Sequence, residues 1–170
     1  MMRLLGAVLV IAGCGALGLC GVARLDGRVR DLGERAAGLD ALQRELGWRL
    51  APLPDALETA AKALRGPAAD FFRRCAQCAG QTDGQSFQQV WQDSLNAAPL
   101  RLAAEDRDLL ERLGPVLGRY DGDSQRLALE DAAAGLRSLQ GSAADDRSRL
   151  GRVYGVLGMT AGLLLAILLI

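Results

Sequence analysis

Apolar residues are distributed along this chain in two different ways. At both ends they are continuous: Leu4 to Ala23 is a run of 20 residues without a charge, and Val153 to Ile170 is another of 18. As helices rising about 1.5 Å per residue, these runs reach roughly 30 and 27 Å, close to a hydrocarbon thickness of about 30 Å. The pattern therefore predicts a transmembrane helix in 1–23, a second in 153–170, and a domain over 24–152 between them. The first run has two competing readings. Met1-Met2-Arg3 is a short basic start that suits a cleaved signal peptide, and Ile11-Ala12-Gly13-Cys14 suits a lipoprotein-type site with lipid on Cys14. The apolar run continues nine residues beyond Cys14, which favours an uninterrupted, attached span.

Between the runs the apolar positions become periodic. Leu25, Val29, Leu32, Ala36, Leu39, Leu42, Leu46 and Leu50 step by three or four, a helical stripe with charges on the opposite face. Pro52 and Pro54 end that helix and open a second, with Asp55 in its first turn, that runs to about Leu64. Gly66-Pro67 introduces a third over Ala68 to Ala79, and Ser86 to Ala97 forms a fourth. A fifth spans Ala103 to Leu117 with a kink or earlier stop at Gly114-Pro115. The sixth starts at Asp123 or Ser124 and runs toward Leu150. No segment alternates with period two, so the expected fold is all-α: an antiparallel bundle of about six helices flanked by N- and C-terminal transmembrane helices. Its core must be leucine, alanine and valine around few large side chains, with Phe71, Phe72, Phe87 and Trp91 as anchors and Leu113 and Leu117 beside them.

Composition narrows the chemistry. The chain of 170 residues has no histidine, which removes imidazole bases, Ser-His and Cys-His pairs and imidazole metal sites. Its 20 basic and 20 acidic residues cancel and are interleaved, so no pull toward nucleic acid is expected. There is no phosphate-binding glycine loop, and the only lysine, Lys62, lies inside a helix. Cys75-Ala-Gln-Cys78 has dithiol spacing, but it is a single pair at the end of a helix, where the dipole disfavours a thiolate. Small packing cysteines are the favoured reading, with a membrane-anchored thiol-redox protein using Cys75 and Cys78 as the alternative. Asp121-Gly122-Asp123-Ser124 begins like a calcium loop, yet Arg126 and Ala132 stand where that loop needs glycine and glutamate, so helix capping is expected. No cofactor and no catalytic or metal-ligating set is expected.

Two patterns concern the membrane. Gly151, Gly155, Gly158 and Gly162 recur at four, three and four residues, share one helical face and are extended by Ala166; the first run offers Ala7, Cys14, Gly18 and Gly21. Small residues let helices approach closely in lipid, where apolar burial from water cannot drive them together. Whether they pack within one chain or between copies in a homo-oligomer stays open. Arg24, Arg28, Arg30, Arg35, Arg147, Arg149 and Arg152 flank the middle segment, against Arg3 outside, so the positive-inside rule makes that segment cytoplasmic.

The order of these features resembles the stage III sporulation protein AB family. The pieces that carry it are Leu4-Leu5-Gly6-Ala7, Pro52-Leu53-Pro54-Asp55-Ala56-Leu57, Val90-Trp91 with Ser94-Leu95, then Leu113-Gly114, Leu117-Gly118, Asp121, Gln125, Leu157-Gly158 and Gly162. After Gln125, where Arg126-Leu127-Ala128-Leu129 follows at once, the chain is a few residues shorter than the family's pattern, so the resemblance does not fix the start of the sixth helix. The resemblance implies a soluble region similar to the helical domain of type II secretion and type IV pilus inner-membrane platform proteins. It also implies a non-enzymatic scaffold subunit of a channel between mother cell and forespore. That subunit would sit in the mother-cell membrane around the forespore, beside the stage III sporulation AA ATPase and other channel proteins.

Overall fold

The structure, a computed structural model, describes residues 2–81, 86–118 and 121–169; the side chains of 2–12, 14–19, 154, 155, 157–159 and 161–169 lie outside the description. The described residues are helical, without a strand: α1 Met2–Gly47, α2 Leu53–Ala63, α3 Gly66–Gly80, α4 Phe87–Ala97, α5 Ala104–Glu111, α6 Gly114–Leu117 and α7 Gly122–Leu169. With α6 a single turn, six helices of two turns or more remain, as the periodicity predicts. The chain divides into two compact units, one made of Met1–Arg30 with Gln140–Ile170 and the other of Asp31–Leu139. Among the described residues no helix is long and apolar enough to cross a membrane. The runs 4–23 and 153–170 fall largely on residues whose side chains lie outside the description.

Local chemistry sets the boundaries. Ser86 starts α4 with a reciprocal cap: its hydroxyl accepts from Gln89 N–H at 3.4 Å while the Gln89 amide oxygen accepts from Ser86 N–H at 3.3 Å. The expected fifth helix ends early, at Glu111, and resumes as the turn Gly114–Leu117. Pro115 accounts for this, since its ring would clash with the carbonyl four residues back, that of Glu111. α7 starts one residue before Asp123, with Asp121 as its cap; Ser124 Oγ donates to the Asp121 carboxylate, and Gln125 N–H donates to Asp121 O at 3.1 Å. It then runs to Leu169 rather than ending near Leu150.

In the Asp31–Leu139 unit, the α1 stripe is fully withdrawn from water at Leu32, Leu39 and Leu42. α2 packs on α3, α3 on α4, and α4 on α6. The centre is aromatic: Phe71 meets Trp91 edge-on at 4.8 Å and 79°, and Phe72 at 5.2 Å and 71°. Trp91 has no exposed surface, and its indole N–H donates to Leu110 O at 2.7 Å. Phe71, Phe72, Leu113 and Leu117 are buried with it. Phe87 is only half-buried; it tilts against Trp91 at 6.0 Å from the first turn of α4, at the margin of the core rather than inside it. Gly38 permits this packing, because a Cβ there would stand 2.4 Å from Phe72 Cε2.

Candidate interaction surface

The end of α1 departs most from what an isolated domain would choose. Trp48 N–H still donates to Arg44 O at 3.0 Å, after which the chain turns and Ala51 N–H returns to Glu45 O at 3.1 Å. That turn holds Leu50 at φ 51°, in the left-handed region where helix ends ordinarily place glycine. A residue with a Cβ pays about 1–2 kcal/mol there. Burial does not compensate, since Leu50 is 83% and Trp48 87% exposed.

Polar groups ring these two side chains. Arg49 pairs with Glu45 at 3.4 Å. Gly47 lies against α7, where a Cβ would meet Arg126 Cδ at 3.7 Å. Leu46 and Leu50 line an open cleft with Asp121, Asp123 and Arg126, and the neighbouring Leu127 is exposed. Large apolar groups in water, ringed by charges of both signs, have the make-up of an interface anchor and its rim. Periodicity missed this site because Leu50 continues the apolar stripe by spacing; only the turn at Gly47 takes it off the buried face.

A second feature also escaped the sequence reading. Arg35, counted there among the flanking arginines, is 3% exposed and Asp106 has no exposed surface. Arg35 Nη1 donates to Asp106 Oδ2 at 3.2 Å and Nη2 donates to Arg101 O at 3.3 Å, while Asp106 Oδ2 also accepts from Ala103 N–H at 3.3 Å. One buried pair thus joins α1 to the start of α5, and Arg35 does not act as a flanking charge in water. Its position between Leu32 and Ala36, on the apolar stripe, was the available signal.

The structure separates the two cysteines. Cys75 is buried in the core beside Ser94, whereas Cys78 is exposed. Burial pushes the Cys75 thiol up to about 12, the Ser94 hydroxyl opposing only part of the shift. A protonated core thiol beside an exposed one is poor redox chemistry, so the dithiol reading is not favoured. The calcium-like loop is a helix cap, and its Ser124 hydrogen bond holds the Asp121 carboxyl below its usual range. Of the glycines expected to pack in lipid, Gly21 and Gly151 are described as half-buried. The surroundings of Gly18, Gly155, Gly158 and Gly162 lie outside the described residues.

Comparison with known proteins gives concordant results. The model of the family "Stage III sporulation protein AB" matches residues 3–170. The chain is similar to stage III sporulation protein AB of Bacillus subtilis (strain 168), 28% identical over 173 residues that cover 99% of each chain. Its fold resembles a solved structure of stage III sporulation protein AB (SpoIIIAB), with TM-score 0.64 and 24% identity over 70% of this chain and 94% of that one.

Proposed function

The chain belongs to the stage III sporulation protein AB family and acts in sporulation, and we propose that it does so as a non-enzymatic platform subunit of a channel between mother cell and forespore. In this reading 1–23 and 153–170 anchor it in the mother-cell membrane around the forespore, and the helical domain of 24–152 faces the cytoplasm. The partner is the stage III sporulation AA ATPase, with the other channel proteins around it. Length and lack of charge in the two terminal runs support the anchoring.

The observation that carries the partner-binding part is the Trp48–Leu50 corner, where backbone cost and apolar exposure fall on the same three residues. A surface that costs stability without serving the core is expected where another molecule covers it. The test is co-purification of the ATPase with the full chain from sporulating cells. Trp48→Ala with Leu50→Asp should lower recovery at least tenfold while the chain accumulates normally. Unchanged recovery would remove this corner as the docking site, and no recovery even with the wild-type chain would remove the ATPase as partner.

A further inference from the structure

Within the Asp31–Leu139 unit, Leu95 near the end of α4 and Leu110 near the end of α5 are both fully buried, and Asp106 is the one buried residue between them. None of residues 96–105 is buried, and α5 withdraws only Asp106 and Leu110 from water. The neighbouring helices are held differently: α3 buries six residues, Phe71 and Phe72 among them, and α4 buries four, including Trp91. Burial of apolar surface is the main force holding an element to its domain. It fixes α3 and α4, whereas the segment 96–109 has almost none of it.

The segment's own backbone adds little. Leu100 N–H donates to Ala98 O at 2.7 Å and Leu102 N–H to Leu100 O at 3.0 Å, two successive three-residue turns. One side chain of α1 does most of the fixing. Arg35 Nη1 donates to Asp106 Oδ2 and Nη2 to Arg101 O, while the same Asp106 oxygen accepts from Ala103 N–H. A single guanidinium thus grips both the connection before α5 and the first turn of α5. On the other side, Leu109 sits in a notch at Gly135 of α7, where a Cβ would stand 3.0 Å from Leu109 Cδ1. The ends of the segment are tied to each other, since Arg107 Nη1 donates to Asn96 Oδ1 at 3.0 Å.

We infer that residues 96–109 form a strap that opens as one unit from α1 and α7, hinged at Leu95 and Leu110 and held shut by the Arg35–Asp106 latch. A buried ion pair adds little net stability, because desolvation offsets much of its attraction, yet removing one partner is costly. Such a pair suits a choice between two arrangements: closed, its bonds are all made; open, both charges regain water. Local opening draws on regions with few buried apolar contacts, which is what distinguishes the strap from α3 and α4. The Trp91 indole N–H holds Leu110 O at 2.7 Å, so the opening ends there and the aromatic core stays covered.

Amide hydrogen exchange of the full chain in detergent, resolved by mass spectrometry, tests this. Arg35→Met combined with Asp106→Leu fills the site with apolar groups and removes the latch without leaving a buried charge. Exchange across 96–109 should rise about tenfold as a block, while α3 and α4 keep their wild-type rates. Leu109→Ala empties the notch on the α7 side without touching the latch. It should raise exchange over the same block about threefold, including residues 98–103 at the far end of the strap. Should the double variant fail to accumulate, Asp106→Asn removes the charge at nearly the same shape and should raise the same block to a smaller extent. A rise confined to the neighbours of each substitution would mean separate contacts rather than a strap. A rise shared equally by α3 and α4 would mean global unfolding, and no rise would mean that the pair holds nothing shut. Each of these three results overturns the inference.

Discussion

The two tryptophans occupy opposite environments. Trp91 has no exposed surface, gives its N–H to Leu110 O and stacks edge-on with Phe71. Trp48 is 87% exposed at the end of a helix. A large aromatic ring stabilises a domain only where neighbours replace the water around it; where none do, it is surface offered to something else. The contrast separates what holds the Asp31–Leu139 unit together from what that unit presents.

Breaking the inner member of the pair should have the largest effect. Trp91→Ala removes the ring joining α3, α4 and the end of α5 at Leu110 and should destabilise the full chain in detergent by about 3–5 kcal/mol in urea unfolding. A loss below about 1 kcal/mol would show that the cavity is easily refilled. Next comes the buried pair. Arg35→Met leaves Asp106 buried without its cation and should cost about 3 kcal/mol, whereas Arg35→Met with Asp106→Leu should recover most of that loss. Equal stability of the single and double variants would mean that the pair matters only for shape.

The outer member should behave in the reverse sense. Leu50→Asn suits the left-handed backbone and should raise stability by about 1 kcal/mol while weakening ATPase recovery. Trp48→Ala should shift stability by less than about 0.5 kcal/mol and still reduce recovery. A Trp48 variant that unfolds the protein would collapse the distinction between the two tryptophans.

The smallest effect sharpens the same boundary through thiol chemistry. At pH 8, iodoacetamide should modify Cys78 within minutes and leave Cys75 untouched, because burial holds its proton up to about 12. The sign for stability follows: an unfolded chain loses this proton at a lower pH than the folded one, so the contribution is complete below the ordinary thiol range. It is lost as pH rises toward 12. Cys75→Ala should flatten that alkaline decline, and an unchanged slope would assign it to other groups.

Much of the helical framework was legible because it depends on neighbours in sequence. Apolar steps of three and four, Pro52 and Pro54, Gly66-Pro67 and the Ser86 cap act within a turn or two of themselves, and they place the end of α1 and the bounds of α2 to α4 to within a few residues. The burial of Phe71, Phe72 and Trp91 followed as well, since the chain has few other large side chains with which to fill a core.

What only the tertiary structure decided involves residues far apart in sequence. Arg35 meets Asp106 across 71 positions, so no local pattern could show that this arginine is buried rather than solvated. Leu50 and Leu42 belong to the same stripe, but one turn of backbone sends Leu50 into water and leaves Leu42 in the core. Cys75 and Cys78 share a spacing, and packing alone separates one thiol from solvent and leaves the other in it. Sequence determined which segments are helical and which side chains can fill a core, because backbone hydrogen bonding and amphipathic periodicity are short-range. The pairing of those segments, and hence which apolar and charged groups remain exposed, depends on long-range contacts that exist only once the helices have packed.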